Sequence, residues 1–262
     1  MSRYNAMFER LGEEGAFGAF LMLGDPDLET SASLLEAVVA GGTDMIEVGI
    51  PFSDPVADGP VIQAAVQRAL AAGVRVGDCF DLIRGFRARH SLVPIGILTY
   101  ANLVVARTGF MRDAAEAGAD SLLIADVPAL EAGPFVRDME QAGIEPVLIT
   151  ASNTPDLTLQ RVAILSKAYT YCVSRAGITG THEGGRFESS LVERLCGIHA
   201  PPQVFGFGIS KPEHVRAALS AGAKGVICGS AIVESAALGE DVTQLVRSLK
   251  AATRERLAAA MD

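Results

Sequence analysis

Two carboxylates in this sequence sit where a carboxylate is expensive. Glu47 interrupts the otherwise apolar run MIEVG at 45–49, and an ionised group inside a buried strand costs free energy unless it is paired or used. Taken alone it reads equally well as a satisfied structural acid. The chain then runs IPFSDPVADGP, in which Pro51, Pro55 and Pro60 stiffen a loop that presents Asp54 and Asp58 close to the end of that strand. Asp58 before Gly-Pro could simply cap the next helix. Two carboxylates in unequal surroundings are also the usual way for one site to divide acid and base roles.

Two glycine-bearing segments look suited to a phosphate. FGFGIS carries Gly206, Gly208 and Ser210; CGSAIV carries Gly229 and Ser230 and opens a helical pattern. Glycine lets backbone N–H groups approach an anion, and a helix start adds favourable dipoles. Each pair is weak evidence alone, but both fall at the ends of consecutive apolar runs. The lysines point away from Schiff-base chemistry, because Lys167, Lys211, Lys224 and Lys250 fall in helices, loops or strand beginnings. His90, His182, His199 and His214 are dispersed, so no metal ligand set is expected.

The elements that must position these groups announce themselves by repetition. AGGTDMIEVG, AGADSLLIAD, AGIEPVLIT and AGAKGVICG each join a helix-stopping glycine to a short apolar, β-branched run. Strands are expected near 17–23, 45–49, 94–98, 120–125, 145–149, 169–173, 203–207 and 224–228, with helices between them. About eight βα steps suit a closed (β/α)8 TIM barrel, an α/β fold; an open doubly wound sheet is the structural rival. In a barrel, reacting groups lie at the C-terminal ends of strands, where Glu47, Asp58 and the glycine loops fall. The breaker-rich stretch RAGITGTHEGGRF at 175–187 follows the sixth strand and reads as a lid rather than an ordinary surface loop.

Composition agrees. The 262 residues, 49% hydrophobic and 20% charged, suffice for one large core, and no linker divides residues 1–262, so a single domain is expected. A net charge of −9 without any basic stripe argues against nucleic acid as partner. Cys79, Cys172, Cys196 and Cys228 form no CxxC pair and read as reduced, mostly buried thiols. Arg3, Glu9, Arg10, Glu13 and Glu14 fall where a signal peptide would need an uninterrupted apolar stretch, so none is expected, and no segment reaches the roughly 20 apolar residues of a membrane span. A cytoplasmic location is the expectation.

LGDPD at 23–27, EVGIPFSDPVADGP at 47–60, YAN at 100–102, YTYCVSRAGITG at 169–180, GFGIS at 206–210 and GSAIV at 229–233 follow one another in an order that resembles the tryptophan synthase α-subunit family over nearly the whole chain. The resemblance implies a lyase of tryptophan biosynthesis that splits indole-3-glycerol phosphate into indole and glyceraldehyde 3-phosphate by a retro-aldol route. It implies Glu47 as the proton-transferring acid/base and Asp58 as the carboxylate that holds the indole N–H. It implies Phe20, Leu98, Leu123, Tyr171 and Ile227 around the indole, Thr179 closing on Asp58, and Gly180, Gly208, Gly229 and Ser230 around the phosphate. The family docks on a β subunit in an αββα assembly; Pro51, Phe52, Ser53, Asp54, Pro55 and Asn102 match positions near that interface. The resemblance gives this chain no cofactor and assigns pyridoxal phosphate to the partner. A stand-alone indole-releasing lyase and a weakly active scaffold are the alternatives. The loops at 51–60 and 175–189 are expected to be mobile without ligand, and Cys228, where the family often has Ser or Val, is a departure that could alter the pocket floor.

Overall fold

The computed structural model describes residues 1–173 and 187–254. Nine parallel strand segments run in chain order: β1 (Ala16–Met22), β2 (Met45–Gly49), β3 (Ile95–Thr99), β4 (Ser121–Ile124), β5 (Glu145–Pro146), β6 (Leu148–Ala151), β7 (Thr170–Val173), β8 (Gln203–Phe205) and β9 (Gly225–Cys228). They pair in the spatial order β5-β4-β3-β2-β1-β9-β8-β7-β6. β5 and β6 flank Val147 in one continuous stretch, one half pairing with β4 and the other with β7. The ring therefore closes through Val147, whose N–H reaches the Leu122 carbonyl at 3.1 Å, and the architecture is the TIM barrel, with helices between the strands.

Two strand boundaries differ from the sequence expectation for identifiable reasons. The fifth strand, expected at 145–149, continues to Ala151 but is broken after Pro146, which has no N–H to give to a ladder. The seventh, expected at 203–207, stops at Phe205 because the chain must turn away at Gly206–Gly208, where Gly208 takes a φ of 79°. The repeated helix stops behave as read: Gly118 and Gly143 close their helices in the left-handed region, at φ 105° and 78°.

Strand alternation sorts the core into two shells. Phe17, Ala19 and Leu21 of β1, with Ile46 and Val48 of β2, face the surrounding helices. Phe20, Met22, Met45, Leu123, Tyr169, Tyr171, Val204 and Ile227 fill the interior. Register sets Glu47 beside Phe20 on one side and Gly96 on the other, so this carboxylate points into the barrel. The N-terminal helix Arg3–Leu11 closes the opposite end: Tyr4, Met7 and Leu11 join the interior cluster, and the Tyr4 hydroxyl lies 2.9 Å from Ser121 Oγ.

Buried charges below the strands are paired. Lys250 Nζ lies 2.7 Å from Asp44 Oδ2 and 2.5 Å from Glu14 Oε1, while Asp44 also accepts the Phe17 N–H at 2.9 Å. Asp120 is held by Arg3, Arg87 and the Ile95 N–H. Such clusters tolerate burial because each carboxylate meets cationic donors.

Candidate active site

A cavity of about 420 Å3 opens at the C-terminal ends of the strands and falls within the range of small-molecule sites. Glu47 and Asp58 both line it. Glu47 reaches it from β2 and is 3% exposed. Its Oε1 accepts a 3.1 Å hydrogen bond from the Tyr169 hydroxyl, itself buried in the interior. Burial pushes the Glu47 carboxyl up to about 8, the tyrosine bond opposing the rise.

Asp58 comes from the proline-stiffened loop and is 6% exposed. It does not cap the following helix, Pro60–Ala71, whose N-cap is Gly59 and whose start carries no side-chain cap. Its carboxylate instead faces the Tyr100 hydroxyl, which also accepts the Ala57 N–H at 3.2 Å. Burial raises Asp58 to about 6, against the lowering effect of that tyrosine. The two acids thus differ at neutral pH: Glu47 retains its proton and Asp58 is mostly ionised.

The apolar wall contains Phe20, Leu98 and Tyr171, together with Ile62, Ile149 and Phe207, which sequence reasoning did not single out. The Tyr171 ring meets Phe207 edge-on at 6.0 Å. Gly206 makes room for that ring, since a Cβ there would fall 1.9 Å from Tyr171 Oη. Leu123 and Ile227 belong to the same interior cluster but do not line the cavity.

At the rim above β8 and β9, Gly208, Gly229 and Ser230 come together from the loops that follow those strands, and Ser230 begins the helix Ser230–Ala237. The two loops are tied by Cys228, but not through the pocket floor. Its side chain points outward into the helix-facing core, and its Sγ–H donates to the Ile209 carbonyl at 3.1 Å. The other cysteines are free thiols, Cys79 and Cys172 buried and Cys196 exposed. Thr179 and Gly180 lie outside the described residues, as does most of the expected lid.

On the outer surface by the mouth, Ser53, Asp54 and Asn102 are exposed, Phe52 and Pro55 half-buried and Pro51 buried. Phe52 packs against Tyr100 with ring centroids 5.4 Å apart. Among the described residues no cluster of His, Cys, Asp and Glu is arranged to hold a metal ion, and no helix is long and apolar enough to cross a membrane.

Tyr100 and Tyr169, the hydroxyls that hold the two acids, were not identified as site residues, although both lie inside quoted motifs. Lys211 and His214 also line the cavity, although the sequence marks Lys211 only as unsuited to a Schiff base and His214 only as one of four dispersed histidines.

Comparison with known proteins gives the family. Residues 8–261 match the family model described as tryptophan synthase alpha chain. A tryptophan synthase alpha chain from Shewanella amazonensis is 47% identical over 256 residues, covering 95% of this chain and 96% of the relative. Among solved structures, tryptophan synthase of Mycobacterium tuberculosis superposes with a TM-score of 0.87 at 27% identity, covering 97% of this chain and 98% of the other. A structure of the tryptophan synthase a2b2 complex from Pyrococcus furiosus matches with a TM-score of 0.77 at 34% identity, over 94% of this chain and 99% of that one. With the match spanning nearly every residue from the N-terminal helix onward, this chain belongs to the tryptophan synthase alpha chain family.

Proposed function

We propose that Glu47 and Asp58 carry out, in opposite charge states, the carbon–carbon cleavage that makes this chain a lyase. The reaction converts indole-3-glycerol phosphate to indole and glyceraldehyde 3-phosphate. The observation that carries the assignment is the divergence of two buried carboxyls on one cavity wall, about 8 for Glu47 and about 6 for Asp58.

Cleavage requires a proton on C3 of the indole ring, which Glu47 supplies from its carboxylic acid form. The ring becomes cationic as C3 turns tetrahedral, and the Asp58 carboxylate beside the indole N–H stabilises that charge. The C3–C1′ bond then breaks, its electrons restoring the aromatic ring. The C1′ hydroxyl becomes the aldehyde of glyceraldehyde 3-phosphate and gives its proton to Glu47, which returns to its starting state. Phe20, Leu98 and Tyr171 would hold the indole, with Leu123 and Ile227 backing them. The backbone at Gly208, Gly229 and Ser230 would hold the phosphate, joined by Gly180, and Thr179 would close on Asp58 to exclude water.

We further infer a tryptophan synthase β subunit as partner, bearing pyridoxal phosphate and consuming the indole in a cytoplasmic αββα assembly. Support comes from the a2b2 complex of the Pyrococcus relative. The loop Pro51–Pro55, exposed at Ser53 and Asp54, would form part of the contact with Asn102, as its Phe52 already leans on the tyrosine that holds Asp58. Indole release from indole-3-glycerol phosphate, measured with and without the β subunit, tests both readings. Turnover accelerated by the partner supports them; turnover indifferent to it argues for a stand-alone lyase, and no turnover in either state refutes the catalytic assignment.

A further inference from the structure

The substrate phosphate must enter a cavity whose wall already carries Glu47 and Asp58, in a chain with a net charge of −9. Backbone N–H groups at Gly208, Gly229 and Ser230 offer partial charges only. Among the described residues, Lys211 is the sole lysine or arginine on that wall. It follows the GFGIS loop directly, is exposed, and its ammonium group has no ion-pair or hydrogen-bond partner among the described residues. Unpaired cations elsewhere on the barrel would be unremarkable surface charge; this one borders the rim where the two glycine loops meet.

A second residue fixes the segment that carries it. His214, one helical turn further along Pro212–Ser220, also lines the cavity. Its Nδ1 accepts the Ser210 backbone N–H at 3.3 Å and lies 3.3 Å from Ser210 Oγ. A ring nitrogen that accepts a backbone N–H leaves the other nitrogen as the donor. His214 therefore clamps the residue between the phosphate loop and Lys211, which limits where the lysine stem can start.

We propose that Lys211 is a binding residue for the substrate phosphate, positioned by the His214–Ser210 clamp, and that it supplies the full positive charge the glycine cradle lacks. The proposal rests on the phosphate end of the site lying at Gly208, Gly229 and Ser230. Lys211 takes no part in bond cleavage, so its contribution falls on substrate capture and is sensitive to ionic strength.

The experiment uses the full chain with its β subunit and compares wild type with Lys211→Gln, Lys211→Glu and Lys211→Arg. Three quantities are read: KM and kcat for indole-3-glycerol phosphate, and the inhibition constant of inorganic phosphate. Lys211→Gln should raise KM and weaken phosphate inhibition together by about five- to thirtyfold, with kcat changed less than twofold. Lys211→Glu should do more, Lys211→Arg should restore most of the affinity, and the dependence of kcat/KM on salt should flatten in Lys211→Gln. If wild type is inhibited by phosphate and Lys211→Gln matches it in all three quantities, Lys211 is idle and the proposal is wrong while the cradle stands. If phosphate does not compete with substrate in wild type, the cradle itself is misplaced and the proposal falls with it. Lys211 is exposed and its side chain caps no helix, so shortening it is expected to leave the fold intact.

Discussion

Replacing Glu47 by Gln tests the central assignment through stability as well as rate. Gln has nearly the volume of Glu and keeps an oxygen that can accept the Tyr169 hydroxyl, so packing is preserved. The folded carboxyl holds its proton up to about 8 against an ordinary value of 4.5. Below 4.5 both folded and unfolded wild type are protonated, and the residue contributes its full share of stability. As pH rises from 4.5 the unfolded chain loses the proton while the folded chain keeps it, so stability declines until the folded group also ionises near 8. At ~1.4 kcal/mol per pH unit the ceiling is roughly 5 kcal/mol, and relaxation around the new charge brings the expected loss to about 2–3 kcal/mol. Urea unfolding of both proteins at steps from pH 4.5 to 9 isolates this effect, because every other titrating group cancels in the difference. The wild type should lose stability relative to Glu47→Gln across that window, while the variant loses about 10²–10⁴-fold in kcat at every pH. Parallel stability curves would show that Glu47 is not held protonated, and a near-normal kcat would remove it from the proton-transfer role.

The rate of cleavage should follow a bell in pH, rising as Asp58 ionises near 6 and falling as Glu47 loses its proton near 8; a flat profile across pH 5–9 contradicts the division of roles. Tyr100→Phe removes the bond that lowers Asp58, so the acidic limb of kcat should move to higher pH, whereas an unmoved limb would detach Tyr100 from Asp58. Gly206→Ala places a methyl group in the Tyr171 ring and should cost about 2–4 kcal/mol by chemical denaturation as well as raising KM. Lys250→Met strands Asp44 below the strands and should cost about 3–5 kcal/mol with kcat per folded molecule retained; an unchanged midpoint would mean Asp44 finds other partners.

Glu47, Asp58 and the glycine loops were legible because their cues are local: a charge in an apolar run, prolines in a row, glycines at strand ends. Their partners were not. Tyr169 is 122 residues from Glu47 and Tyr100 is 43 from Ala57, and such neighbours exist only once the ring has closed. The same holds for Cys228, whose outward direction follows from strand register rather than from its place next to Gly229. Lys211 read as loop surface because nothing local reveals that the loop borders a cavity. Pro146 carried a cue to the broken fifth strand, a missing donor, that the apolar run around it obscured.

Among the described residues, the N-terminal helix makes the barrel a vessel closed at one end. Tyr4, Met7 and Leu11 stopper the far end, so whatever reaches the cavity comes through the ring of loops at the mouth. With that end shut, the halves of a cleaved molecule leave from the mouth side, where the proposed partner docks. The traffic of products is in this way governed at the opposite end of the molecule from the residues that make them.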